Sequence, residues 1–272
     1  MSEFNTIIKN IINDASPGEL NIIVQDLLTI TGVNGKDTIL TTVREYNMER
    51  GTLVHLDDGE SFVISKHNHV ENDLEEDNDK FIDYNNGNQI IKVDQLTLQA
   101  SRLGETISNG IGAIPIDTGL KEYVSKNFPG DHSIAIYPLN GTEGKFVVYI
   151  ISDKYNESNF WNGEWRSQYI WDSNNNIVEE GEINVDVHYY EDGNVRFQSQ
   201  KKYFNDNSDT GSLVDAIKSW ETQFTNDLYD QFENLNERQF KGLRRKLPVT
   251  RSKVNWGKAI GNYRLGKDAA NR

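Results

Sequence analysis

Apolar residues recur at a helical period from the start of the chain. Phe4, Ile7, Ile8, Ile11 and Ile12 share one face of a first helix that stops near Ala15. Ser16-Pro17-Gly18-Glu19 then reads as a capping box, with Ser at the N-cap, Pro at the first helical position and Glu three residues after the cap. Leu20, Ile23, Val24, Leu27 and Leu28 carry that second helix to Gly32. A third helix, over about Asp37 to Asn47, buries Ile39, Leu40, Val43 and Tyr46. Three short amphipathic helices predict a small bundle over residues 1–50.

The period then falls to two. Thr52 to Leu56 and Ser61 to Ser65 flank Asp57-Asp58-Gly59, a hairpin signal, and residues 80–93 predict a second hairpin turning at Asn85-Asn86-Gly87. Between them Glu71, Asp73, Glu75, Glu76, Asp77 and Asp79 form a solvated acidic loop that lacks the spacing and glycine of a calcium-binding EF-hand. Residues 97–115 carry too weak a pattern to assign, so 51–115 is expected to be a small strand-rich middle segment.

After a helix at Leu120 to Phe128, strands are expected at 132–137, 145–152, 165–171, 182–190 and 194–204, five in a row with short links and hence an antiparallel meander. In the fourth, Ile183, Val185, Val187 and Tyr189 alternate with Asn184, Asp186, His188 and Tyr190, which predicts one buried face and one partly polar face. Leu213, Ile217, Trp220, Phe224, Leu228, Phe232 and Leu235 then step by three or four along a long helix whose expected seat is that sheet, completing a unit over 116–235. A short helix carrying Phe240, Leu243 and Leu247 ends at Pro248. Trp256, Ala259, Ile260 and Tyr263 make one last apolar face, opposed by Lys253 and Arg264. Gly257 and Gly261 weaken that helix by about 1 kcal/mol each, leaving it marginal unless docked.

The distribution of charge changes this picture. The 272 residues sum to −14, which argues against non-specific nucleic-acid binding by the body of the chain. From Arg238 to Arg272, however, eleven Lys or Arg face a single acid, Asp268, so a body near −24 carries an arm near +10. An asymmetry of that size points to an acidic partner for residues 236–272. A solvated helix end that complements its own dipole needs far fewer cations.

Catalytic chemistry is poorly supported. The chain has no cysteine, and so no disulfide, thiolate metal site or cysteine nucleophile. His67-x-His69 offers two metal ligands without a third nearby. Gly141-Thr142-Glu143-Gly144-Lys145 has the wrong glycine spacing for a phosphate loop, and Phe146 stands where Ser or Thr belongs. His188 has no paired nucleophile and reads as a hydrogen-bonded sheet residue; Trp161 and Trp165 read as core or subunit-interface packing. No cofactor is expected. With no signal peptide and no apolar run long enough to span a bilayer, the expected compartment is the cytoplasm, where the sequons at Asn140 and Asn156 have no meaning.

Several stretches together resemble one family. Phe160-Trp161-Asn162-Gly163-Glu164-Trp165-Arg166-Ser167 resembles the FWNGxWRS motif of the F-actin capping protein alpha subunit, and His188-Tyr189-Tyr190-Glu191-Asp192-Gly193-Asn194-Val195 resembles its HYYEDGNV hairpin. Leu243-Arg244-Arg245-Lys246-Leu247-Pro248-Val249-Thr250-Arg251 is similar to the segment that opens the family's C-terminal extension, with fainter likeness at Pro17-Gly18-Glu19 and Tyr46-Asn47-Met48. The likeness, of the fungal type, spans nearly the full chain but not the acidic loop from 66 to 79 or the segment from 97 to 115.

The resemblance implies an α+β fold that the pattern partly reaches by itself: an N-terminal helical bundle, a five-stranded antiparallel sheet covered by a long helix, and a mobile amphipathic C-terminal tail. It implies an obligate heterodimer with the capping protein beta subunit, the two sheets joined edge to edge. It further implies calcium-independent binding to filament barbed ends that blocks subunit addition and loss, in the actin cytoskeleton and its cortical patches. Lys241, Arg244, Arg245 and Arg251 are the implied basic actin contacts, with Trp256 and Ile260 supplying the apolar face, and phosphoinositides the implied regulators through the same surface. The rival reading of the arm is a module for anionic phospholipids or RNA; among its basic residues only Trp256 and Tyr263 could stack on bases.

Overall fold

The computed structural model describes residues 3–70, 79–108, 111–139, 141–191, 193–205 and 211–234. The chain falls into two compact units, Met1–Ile217 and Lys218–Arg272. The first opens with the expected bundle: α1 (Glu3–Asn13), α2 (Leu20–Thr31) and α3 (Lys36–Arg50) bury Ile8, Ile12, Val24, Leu27, Ile39 and Val43 against one another. The predicted capping box is not formed, because α2 begins only at Leu20. Instead Pro17 and Gly18, the latter at φ +77°, occupy the centre of a tight turn closed by Glu19 N–H donating to Ser16 O at 3.0 Å. A Pro-Gly pair favours such a turn because Gly takes the positive φ that the third turn residue requires.

The middle segment is a complete five-stranded sheet. Strands β1 (Thr52–Leu56), β2 (Ser61–Ile64), β3 (Lys80–Asp83), β4 (Gln89–Val93) and β5 (Gln99–Thr106) lie in the order β2-β1-β5-β4-β3, with β1 and β5 parallel and the other neighbours antiparallel. Strand β5 falls in the stretch that the sequence left unassigned. Apart from Ala100 its residues are exposed or only half buried, so no apolar alternation marks it. The other four strands read as apolar runs because both faces of this sheet are covered. Val54, Phe62, Ile64, Phe81 and Ile91 form one core, while Leu53, Val63, Ile82 and Tyr84 join Tyr137, Tyr149 and Ile151 of the second sheet in another.

That second sheet is the antiparallel meander, in the order β10-β9-β8-β7-β6. It comprises β6 (Asp131–Pro138), β7 (Lys145–Asn156), β8 (Trp161–Asp172), β9 (Ile177–Tyr189) and β10 (Val195–Phe204), preceded by α4 (Thr118–Asn127), which Asp117 caps through Gly119 and Leu120 N–H. Strands β8 and β9 begin four and five residues earlier than the pattern suggests. The predicted contrast between the faces of β9 is also only half met. Ile183 is fully buried, but Val185 and Val187 are half-exposed, whereas Asp186 and His188 on the polar face are 7% and 5% exposed. The last helix, α5 (Leu213–Asn234), starts on a reciprocal cap between Ser212 Oγ and Asp215; Leu213, Ile217 and Phe224 are buried, and Tyr229 and Phe232 are exposed.

One edge of the meander is closed internally. Asn85 lies beside β6 and uses its carboxamide as a strand would: Ile136 N–H donates to its Oδ1 (3.3 Å) and its Nδ2 donates to Ile136 O (3.2 Å) and Ile114 O (2.8 Å). The Ser133 and Tyr137 hydroxyls of β6 donate in turn to the outward carbonyls of Ser61 and Val63 on β2, which ties the two sheet edges together. Asn85→Ala removes three such bonds and should lower unfolding free energy by about 2 kcal/mol, read from the denaturant midpoint at unchanged slope.

Candidate functional site

Lys241, Arg244, Arg245, Arg251, Trp256 and Ile260, together with the two short helices expected around them, lie outside the described residues. Most of the acidic loop, residues 71–78, does too; Asp79 at its end pairs with Arg44 Nε at 3.0 Å. What the described residues offer is a site built from the two motif-bearing strands. Asn162 of β8, His188 of β9 and Arg196 of β10 stand directly opposite one another across three adjacent strands. All three reach the α1–α2 turn.

Asn162 Nδ2 donates to Pro17 O at 3.0 Å, and Gly18 packs so closely beneath it that a Cβ there would sit 3.0 Å from the Asn162 amide and 3.3 Å from the Tyr155 ring. His188 Nδ1 lies 2.6 Å from Glu19 Oε1, and its Nε2 lies 2.6 Å from Asn194 Oδ1 at the far end of the β9–β10 turn. Arg196 donates to Asp14 O (2.5 Å) and Ala15 O (2.9 Å) while its fork grips Asp186 at 3.0 and 2.7 Å. This explains why the polar face of β9 is the buried one, since the turn sits on it. Asn162, His188 and Gly18 belong to stretches the sequence had singled out; Arg196 and Asp186 were missed. The signal available for them was position alone, Arg196 following Val195 of the hairpin and Asp186 sharing the face of His188.

The free edge of the meander lies next to this site. Among the described residues β10 pairs only with β9, and Asn205 N–H donating to Glu179 O (2.8 Å) fixes the phase of that ladder. Odd-numbered residues bond to β9, so the N–H and C=O groups of Arg196, Gln198, Gln200, Lys202 and Phe204 point off the sheet. A ten-residue open edge is a template for another strand.

A third feature ties the bundle to the sheet. Arg50, the last residue of α3, pairs with Glu164 of the first motif, and Arg166 Nε joins the same carboxylate at 3.1 Å. Asp131, Asp153 and Glu164 stand opposite one another in β6, β7 and β8. Burial, reinforced by the charges of Glu164 and Asp131, pushes the Asp153 carboxyl up to about 7. Burial and the neighbouring Lys66 charge hold the His67 imidazole below its ordinary pKa, His69 packs 5.3 Å from the Phe81 ring, and Lys145 Nζ pairs with Glu179 at 2.6 Å. Trp165 meets Phe128 edge-on at 5.4 Å, and Trp161 lies under the Lys154 ammonium at 5.9 Å.

Comparison with known proteins agrees with the motifs. The family model described as F-actin capping protein alpha subunit matches residues 8–268. The chain is 45% identical over 274 residues to the F-actin-capping protein subunit alpha of Candida glabrata, covering 99% of this chain and 98% of that one. It is 44% identical over 278 residues to the protein of the same name in Saccharomyces cerevisiae, again covering 99% and 98%. Its fold is similar to that of the homodimeric actin capping protein alpha subunit from Plasmodium berghei, at a TM-score of 0.62 and 20% identity, over 92% of this chain and 99% of the other.

Two outcomes follow from this geometry. Gly18→Ala forces a side chain into positive φ and against Asn162, and should destabilise the chain by about 2 kcal/mol, seen as a lower Tm. Asp153 holds its proton in the folded state up to about pH 7, whereas the unfolded chain releases it near its ordinary 3.8. The folded state therefore binds more protons through that window, and Asp153 costs stability progressively as pH rises from 4 to 7. Asp153→Asn should flatten that part of the Tm–pH curve and raise Tm at pH 7.5.

Proposed function

This chain belongs to the F-actin capping protein alpha subunit family, and from that membership we propose that it pairs with a beta subunit and closes filament barbed ends to subunit addition and loss without calcium. The observation that carries this reading is a long open strand edge on an acidic body whose last thirty-five residues hold eleven cations against one acid. The body supplies a dimerising scaffold and the arm supplies the grip.

The β10 edge is the seat proposed for the partner strand, because the opposite edge, β6, is already occupied by Asn85 and by β2. The name of the Plasmodium relative describes a homodimer, so this fold can pair with a chain of its own kind. For this chain the proposed partner is the beta subunit.

On the arm, Lys241, Arg244, Arg245 and Arg251 draw the complex toward the acidic surface of actin, while Trp256 and Ile260 slow its departure. A desolvated charge pair contributes about 1 to 3 kcal/mol, so tight capping takes several acting together. Anionic phosphoinositide headgroups compete for the same cations, which makes lipid binding a regulator of capping. Cortical actin patches are the proposed site of action.

Co-expressed with its beta partner, the chain should stop barbed-end growth in a pyrene-actin assay at nanomolar amounts, with or without a calcium chelator. Charge reversal at Arg245 and Arg251 should weaken capping while leaving Tm unchanged; full capping by a dimer truncated near residue 240 would sink the reading. Gln200→Pro, which removes an outward N–H and no internal ladder bond, should block heterodimer formation without unfolding the chain. An intact heterodimer would move the partner elsewhere.

A further inference from the structure

An open edge strand takes a partner more readily when its side chains are already ordered, and β10 shows a device that orders them. On the face it shares with the α1–α2 turn, four successive side chains, Arg196, Gln198, Gln200 and Lys202, are drawn back over β9 by two carboxylates. Asp186 holds the first two, through the Arg196 fork at 3.0 and 2.7 Å and through Gln198 Nε2 at 3.1 Å. Glu182 holds the next two, through Gln200 Nε2 at 2.6 Å and Lys202 Nζ at 3.1 Å, and also accepts from Asn184 Nδ2 at 3.1 Å. The residues held are the ones whose N–H and C=O groups point off the sheet.

The spacing is regular. Gln198 stands directly opposite Asp186 and Lys202 directly opposite Glu182, while Arg196 and Gln200 reach the same carboxylates from the diagonal positions. Each carboxylate thus clamps one directly facing and one diagonal neighbour, and together they span seven of the ten strand residues. Although burial works against the charged form of Glu182, the bonds from Asn184, Gln200 and Lys202 prevail and hold it below its ordinary value. Both clamped amides are exposed, so burial alone does not fix them.

We infer that Asp186 and Glu182 are positioning residues for subunit pairing, which pre-order the β10 edge so that a partner strand can add to it. The inference rests on the proposed role of β10 as the partner's seat. Pre-ordering acts by lowering the entropy lost on association: four long side chains that would sweep the edge are already fixed. The α1–α2 turn extends the device, since Arg196 is held at once by Asp186, Asp14 and Ala15.

The test measures subunit exchange in the co-expressed heterodimer, by mixing it with an excess of affinity-tagged alpha chain and following the tag into the complex. Glu182→Ala with Asp186→Ala should speed exchange at least tenfold. Glu182→Gln, which keeps an oxygen for Gln200 but loses the charge facing Lys202, should fall between. Because Asp186 also holds the bundle turn through Arg196, its variant can fail to fold. Gln198→Ala with Gln200→Ala, added to Glu182→Ala, removes two of the side chains left to be ordered and should return exchange to within about twofold of the unaltered heterodimer. No slowing of exchange by that pair in the Glu182→Ala background overturns the inference. Gln200→Pro separates the two proposals: if it leaves the dimer intact, the choice of edge is wrong, whereas if it blocks the dimer and the alanine variants do nothing, the edge stands and the positioning role falls.

Discussion

The arrangement depends on one set of polar contacts, the row of Asn162, His188 and Arg196 closing on the α1–α2 turn. Three side chains from three adjacent strands meet a single loop, so the bundle's position and the register of β8, β9 and β10 are fixed together. Such contacts add only about 1 kcal/mol each in net stability. Their larger effect is specificity, because a one-residue slip of any of the three strands would turn its gripping side chain to the opposite face. The motif residues on those strands thus have a reason to occur together that involves no ligand.

From that fixed point the two edges of the sheet acquire opposite characters. At β6 the carboxamide of Asn85 and the outward carbonyls of β2 occupy the edge, and the small mixed sheet lies against it. Among the described residues the β10 backbone is left open, while Asp186 and Glu182 hold the side chains aside. An exposed ten-residue edge carries an aggregation risk that a strand laid along it would remove. Charge divides the labour further. The acids are concentrated in the body of the sequence, and eleven Lys and Arg are gathered over residues 238–272.

Much of this was legible in the sequence. The three helices, both hairpins, the meander and the long helix follow from periods of 3.6 and 2, because each element buries one face and that requirement recurs every few residues. The failures have particular causes. Strand β5 was missed because its residues other than Ala100 remain largely accessible and leave no alternation to read. The Ser16 capping box was wrong because Pro17-Gly18 serves a turn whose purpose is contact with Asn162, a residue 145 positions away. The faces of β9 were misjudged because Asp186 and His188 look solvent-facing until the turn is laid over them.

The sequence by itself determined five helices and nine of the ten strands among the described residues, that the body is acidic and the arm basic, and, through its motifs, the family. Only the tertiary structure decided which polar residues are structural, which sheet edge is closed and which is open, and that an acid such as Asp153 keeps its proton to near neutrality. The physical reason is range. Periodicity and charge are local properties carried by neighbouring residues, whereas the contacts that give Arg196 and His188 their roles join groups 182 and 169 positions apart and exist only after the chain has folded.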